Sequence, residues 1–408
     1  MTHSETAKAP AAGPLDGIRV LDLTSVVLGP LATQVLADFG ADVIKVEGPE
    51  GDLMRANGVS LHPGMSSIFL ALNRNKRSVV LDLKAEEGAA ALRHLLQTAD
   101  VLVHNMRVAA IERLGFGYEA VKAINPRVVY VAATGFQQSG PDRDKPAFDD
   151  IIQAACGLAS VASVGRDAPG YVPSLIADKT TGLVVSNAVM AALVHRERKG
   201  EGQYVEVPML ETMAAFTLAE HMGGLTFPGS TVPAGYARLM GGGRQPARTS
   251  DGWIGFLPYT PKHWKAFFSA AGHEDICSRY DLSDRQQLNK NIQSLYRHLG
   301  EIMPSRTTDE WLTLCEQLDI PATRIYSLDE LPRHPQLVAC GLFEESTHPT
   351  EGPINQLRPA TLFQRTPASI RRPAPTLGQH TSEVLTEAGY EMPDPAIRAK
   401  AISQPTQA

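Results

Sequence analysis

The sequence predicts an α/β chain in which an open, doubly wound parallel sheet forms a large domain and a smaller α+β domain follows it. Three observations predict this. Short apolar runs alternate with helix-period segments from residue 15 onward. After residue 222 the character changes, and Gly, Pro, Ser and Thr crowd residues 223–250. Finally, 408 residues are enough for two or three structural units.

Taken in order, the polar, Ala- and Pro-rich residues 1–14 predict a disordered N-terminus. IRVLDLT then reads as a buried strand, GPLATQVLADFG as a helix ended by Gly40, and ADVIKVE as the next strand. A strand, helix and strand in that order make a parallel pair with a right-handed crossover. SVVLDLK, EEGAAALRHLLQTA and DVLVHN repeat the pattern, and YEAVKAINP with RVVYVAATG adds a third helix and strand. A long apolar helix is expected over residues 182–199, ending in the basic, Gly-punctuated HRERKGEGQ, before YVEV and a further helix complete a large domain at 15–222.

Residues 223–250 are too long for an ordinary connection and read as a linker, a lid or both. The small domain is expected at 251–340 and holds all three tryptophans. A Pro-rich extended connection follows and ends in a helix within APTLGQHTSEVLTEAGY, which together span 341–408.

Composition narrows the function. A net charge of −6 argues against nucleic acid, whose phosphates demand a basic footprint. No apolar leader opens the chain, and no run of about 18 apolar residues suits a membrane, so a soluble cytoplasmic protein is expected. Four separated cysteines, Cys156, Cys277, Cys315 and Cys340, form no CxxC pair, so neither zinc nor a disulfide scaffold is indicated and buried, reduced thiols are expected.

The sheet pattern directs attention to strand ends, because open α/β sheets bind ligands beyond the carboxyl ends of their strands. The walls of that cleft fall at Val27 and Leu28, at Asn105 to Arg107 and at Thr134 to Gln137. VVLGPLAT follows the first strand where a dinucleotide site needs GxGxxG, so the fold is Rossmann-like without that cofactor. Within PSLIADKTTG, Asp178 stands near a helix start. By spacing alone it suits an N-cap first, and it can also be a carboxylate nucleophile in an apolar setting. The cluster Arg74, Lys76 and Arg77 reads by itself as solvated surface, and the run Gly241, Gly242, Gly243 as a flexible linker.

Several separated stretches resemble the class III CoA-transferases, the family of formyl-CoA transferase and carnitine CoA-transferase. They are PLDGIRVLDLT, FGADVIKVE, NRNKRSVVLDLK, ADVLVHN, LGFGYEAVKAINPRVVY, IADKTTG with GEGQYVEV, and LGQHT, in family order across nearly the whole chain. The resemblance implies that Asp178 is the catalytic aspartate. It also implies that coenzyme A is contacted by Val27, Leu28, Leu81, Lys84, Asn105, Met106 and Arg113.

By the same resemblance, GGGRQP holds a lid, Gly241 to Gly243, over the aspartate, and the return segment packs on the large domain. An interlocked homodimer is implied too, with acyl-CoA and a carboxylic acid as substrates and no permanently bound cofactor or metal. The expected reaction moves coenzyme A from an acyl-CoA thioester to a free acid through an aspartyl anhydride and an aspartyl-CoA thioester.

Two departures qualify the match. Gly48 replaces a CoA-binding arginine of the formate enzyme, and apolar Val27 and Leu28 replace a pair that begins with glutamine, which weighs against a small polar acid. The superfamily also contains α-methylacyl-CoA racemases, which move an α-proton with a histidine and an aspartate. Their histidine falls on Phe148 in PAFDDIIQ, and phenylalanine exchanges no proton, which leaves Asp149 to orient or bind substrate. A non-catalytic CoA-binding protein is the remaining alternative. Arg55, Arg107 and Arg238 are candidate partners for a second carboxylate on the acid, or else surface or phosphate contacts.

Overall fold

The computed structural model describes residues 13–391, so the expected disordered N-terminus lies outside the described residues except for Gly13 and Pro14. The chain forms two compact units. The first comprises residues up to 158, 171–216 and those from 336 onward, and the second comprises 159–170 and 217–335.

Six strands build the sheet of the first unit: β1 (Arg19–Leu23), β2 (Asp42–Glu47), β3 (Lys76–Val80), β4 (Val101–His104), β5 (Val129–Thr134) and β6 (Gln203–Pro208). All pair in parallel in the order β3-β2-β1-β4-β5-β6, so the order reverses between β1 and β4. That switch point is where an open sheet leaves a crevice for a ligand.

Strand periodicity decides what covers each face. Val20, Val43, Val101, Val103, Val129 and Val131 point to one side, where α1 (Leu28–Asp38) packs with the later helix of Ile176–Lys199. Leu21, Ile44, Val79, Leu102 and Tyr130 point to the other. There the sheet meets, after α2 (Ser67–Asn73), the helices α3 (Glu86–Leu96), α4 (Val108–Arg113) and α5 (Tyr118–Ile124).

Next in chain order come α6 (Asp149–Ala155), α7 (Leu158–Val161), α8 (Ile176–Lys199) and α9 (Met209–His221). α8 starts six residues before the expected 182, so Asp178 lies inside its first turn rather than ahead of it. Its C-terminus is as the sequence suggests: Gly200 takes φ +81°, and Arg196, Arg198 and Lys199 complement the last turn.

α9 runs unbroken across residue 216, and for that reason no composition shift marks the boundary between units. The stretch 223–250 is also more ordered than a linker, since it contains α10 (Ala237–Met240) and β7 (Ala247–Arg248). β7, β8 (Trp253–Phe256) and β9 (Ala322–Arg324) form a small antiparallel sheet. Around it lie α11 (Pro261–Ala270), α12 (Glu274–Arg279), α13 (Arg285–Ile302) and α14 (Thr308–Gln317), with Trp264, Phe267, Phe268 and Trp311 filling an aromatic core.

After α15 (Pro335–Ala339), the expected extended connection contains a hairpin of β10 (Phe343–His348) and β11 (Gly352–Leu357). α16 (Thr381–Glu387) then closes on the first sheet. His380 donates its N–H to the Ser78 carbonyl at 2.9 Å, and the Thr381 hydroxyl accepts the Val80 N–H at 3.0 Å. Among the described residues no helix is long and apolar enough to cross a membrane.

Candidate active site

Three loops at the carboxyl ends of β1, β4 and β5 meet the start of α8 at a cleft of about 280 Å³. The β1 loop is built with strain. Val26 takes φ +73°, a left-handed conformation that costs a β-branched residue on the order of 1–3 kcal/mol. Its N–H is held by the Asp52 carboxylate at 3.1 Å, and Asp52 is in turn held by the buried Lys45 ammonium at 2.8 Å. Asn105 at the end of β4 grips the same loop twice, donating to the Ser25 carbonyl at 2.7 Å and accepting the Ser25 N–H at 3.0 Å. The turn is therefore fixed before any ligand arrives.

The approach of α8 depends on a missing side chain. A Cβ on Gly182 would stand 2.6 Å from the Leu28 carbonyl oxygen, so glycine lets α8 and α1 close on each other and brings Asp178 to the cleft beside Leu28. Asp178 caps nothing, since α8 has Leu175 at its N-cap position without a side-chain cap. Its carboxylate accepts no hydrogen bond among the described residues.

Asp149, at the first position of α6 and buried, accepts the backbone N–H of Asp178 at 3.0 Å through one oxygen and the Gln153 amide at 2.6 Å through the other. Gln153 also accepts the Val172 N–H at 2.9 Å, so the pair fixes the segment that enters α8. Burial first, and the neighbouring Asp149 charge second, push the Asp178 carboxyl up to about 7.

The cleft brings together only part of the expected set. Leu28, Asn105, Met106 and Asp178 line it, with Val26 and the exposed Phe148. Val27 is buried behind them as the N-cap residue of α1. Leu81 is packed into the core after β3, while Lys84 and Arg113 are exposed; none of the three lines the cleft. Arg107, Arg143 and Lys145 are the cations on its wall, of which Arg107 stood among the expected residues.

Arg55 and Arg238 are engaged elsewhere. Arg55 makes two 2.7 Å bonds to buried Glu47, and Arg238, in the second unit, bonds the Tyr296 hydroxyl at 3.1 Å over the Tyr259 ring. The basic cluster is no solvated surface either. Arg74, Lys76 and Arg77 are buried and paired with Asp38, Asp22 and Asp42, because a parallel sheet covered on both faces leaves no water for them.

Gly241, Gly242 and Gly243 lie in the second unit and line a cavity of about 680 Å³ there with Arg248, Trp253 and Arg297. Cβ atoms on Gly241 or Gly243 would meet Gln293, and Gly242 takes φ +73°, so the run is shaped by local packing as well as composition. Among the cysteines, Cys156 and Cys315 are buried but Cys340 is exposed and Cys277 half-buried, against expectation: Cys277 sits in the six-residue α12, and Cys340 follows the five-residue α15, which has no buried residue.

Sequence reasoning missed Asp52 and the strained Val26, whose roles depend on φ and on a contact across 26 residues, neither of which has a sequence signature. Arg143 and Lys145 were findable as cations five and three residues before the Phe148 position already singled out.

Residues 15–381 match the family model described as CoA-transferase family III. A succinate–glutarate CoA-transferase of Agrobacterium fabrum is 33% identical over 92% of this chain and 95% of its own length. A formyl-CoA:oxalate CoA-transferase of Rhodopseudomonas palustris is 32% identical, covering 91% and 93%. The crystal structure of Rv3272 from Mycobacterium tuberculosis superposes with a TM-score of 0.80 at 30% identity, over 91% of this chain and 99% of that one.

Proposed function

The chain belongs to CoA-transferase family III, and from that premise we propose that it moves coenzyme A from an acyl-CoA thioester to a free carboxylic acid with Asp178 as the nucleophile. One observation carries the assignment to Asp178: it is a nearly buried carboxylate without a hydrogen-bond donor, on the wall of the cleft at the sheet's switch point. A carboxylate so placed is desolvated and free to attack.

The steps balance without an added reactant. An Asp178 oxygen attacks the thioester carbonyl, and the C–S bond breaks to give a mixed anhydride and CoA thiolate. The thiolate attacks the aspartyl carbonyl, releasing the donor's carboxylate and leaving aspartyl-CoA thioester. The acceptor carboxylate then attacks that carbonyl and expels thiolate, which attacks the acceptor's acyl carbon and frees Asp178. Asp149 touches the backbone of Asp178 and is a positioning residue here.

Coenzyme A reaches the cleft past the exposed Lys84 and Arg113, with the buried Leu81 contributing from within the core rather than by contact, and its phosphates lack the partner that Gly48 cannot supply. Arg107, Arg143 and Lys145 are the cations placed to take over that charge. Val27, Leu28, Asn105 and Met106 shape the acyl end. Gly241 to Gly243 act as a lid that excludes water from the hydrolysable intermediates. No permanently bound cofactor or metal belongs to this scheme, and the protein acts in the cytoplasm as an obligate interlocked homodimer. A folded, active monomer in analytical ultracentrifugation contradicts the last point.

Relatives are named for succinate, glutarate, formate, oxalate and fatty acyl groups, so the acid is assigned by experiment. The protein is incubated with labelled succinyl-CoA, and separately with a labelled fatty acyl-CoA, against a panel of mono- and dicarboxylic acids. CoA transfer to an acid supports this reading, whereas α-proton exchange without an acceptor, or binding without turnover, sinks it. Phe148 at the cleft wall, where proton exchange needs an ionisable group, favours transfer.

A further inference from the structure

Thr181 lies one helical turn beyond Asp178 on the buried face of α8 and is fully enclosed, yet its hydroxyl has no hydrogen-bond partner among the described residues. Inside a helix a threonine hydroxyl ordinarily bonds the carbonyl of the preceding turn. This one does not. Asp178 is its complement: nine-tenths buried, facing the Asp149 carboxylate, and with no donor on either of its own oxygens. A donor lacking an acceptor thus stands three residues from an acceptor lacking a donor. Residues at that spacing are neighbours on a helix, with Cβ atoms about 5–6 Å apart, and side chains hop between staggered rotamers without moving the backbone.

We propose that the Thr181 hydroxyl donates a hydrogen bond to the Asp178 carboxyl group and so serves as a positioning residue of the transfer reaction. The inference rests on Asp178 being the nucleophile. The bond keeps Asp178 ionised against burial and against Asp149, and turns its remaining oxygen toward the thioester. When Asp178 has become an anhydride or thioester, the same donor stands beside the oxygen on which negative charge develops as the carbonyl is attacked. The enclosed position matters here, because water cannot replace the hydroxyl.

Other charges around Asp178 stay constant in the test. Asp149 faces it from α6, and Arg107, Arg143 and Lys145 share its cleft. On its own helix Lys179 bonds Ser174; α1 puts no acidic side chain in its first turn; and Glu206 of β6 is taken up by the Gln138 N–H.

The experiment compares kcat/KM against pH for the wild type, Thr181→Val and Thr181→Ser, with each variant's thermal stability. Valine has the same shape without the hydroxyl, so a purely structural threonine predicts a folded variant with an unchanged profile. The proposal predicts that the acid limb of Thr181→Val moves up by about one pH unit, a loss of about tenfold at acid pH that shrinks on the alkaline side, while Thr181→Ser overlays the wild type. Superposed valine and wild-type profiles, or a serine variant as impaired as valine, overturn it. A wild type that transfers CoA to no acid overturns the transferase reading instead, which is a different observation.

Discussion

Asp149 accepts the backbone N–H of Asp178 at 3.0 Å, so the group that positions the candidate nucleophile also opposes its ionisation. Replacing Asp149 with Asn keeps an oxygen for that bond and removes the charge. The acid limb of the pH–rate profile should move down, by less than the whole displacement because burial is the larger cause of it. An upward move means that Asp149 does something other than position and repel.

Stability should report the same carboxyl. Its value is raised from 3.8 to about 7, so the folded state binds a proton that the unfolded state releases first, and stability falls as pH rises between those values. Asp178→Asn escapes this cost. Relative to wild type it should gain roughly 2–4 kcal/mol between acid pH and pH 8, read by denaturant melts at both. Equal differences at the two pH values would show that Asp178 is ionised without penalty.

Strain at Val26 makes a separate claim. Glycine adopts φ +73° freely, at an unfolded-state cost of about 0.5–1 kcal/mol, so Val26→Gly should hold or raise the melting temperature while kcat/KM falls through the loosened cleft wall. A large drop in melting temperature means that the packing of Val26 outweighs its backbone strain.

If Gly241 to Gly243 form a lid, Gly242→Val puts a β-branched side chain at φ +73° and should hamper closure. Thioester hydrolysis should then rise relative to transfer, with little change in affinity for coenzyme A. An unchanged partition between water and acceptor acid leaves the run as a structural turn.

The large sheet was legible because parallel strands buried on both faces are written as Val- and Leu-rich runs, as in RVLDL and VLVH, with helix periods between them. The position of Asp178 followed from resemblance. What it does to its neighbours did not. Its approach to the cleft depends on Gly182 fitting against Leu28, and its raised acidity range depends first on burial and second on Asp149, 29 residues away. Lys76 and Arg77 misled for a related reason: a charge on β3 reads as surface until its partners are placed, Asp42 on the adjacent β2 and Asp22 one strand further on, in β1. The hairpin of β10 and β11 stayed hidden behind proline at Pro349, Pro353 and Pro359, which elsewhere signals an extended connection.

The central claim is that Asp178 becomes covalently acylated. Wild-type protein given acyl-CoA and then hydroxylamine should acquire a hydroxamate on the peptide containing Asp178, because an aspartyl anhydride or thioester is trapped by that reagent and a free carboxylate is not. Asp178→Asn should remain folded, gain no adduct and lose transfer by several orders of magnitude. An adduct on Asp149 or Glu211, or an active protein that forms none, would contradict the account.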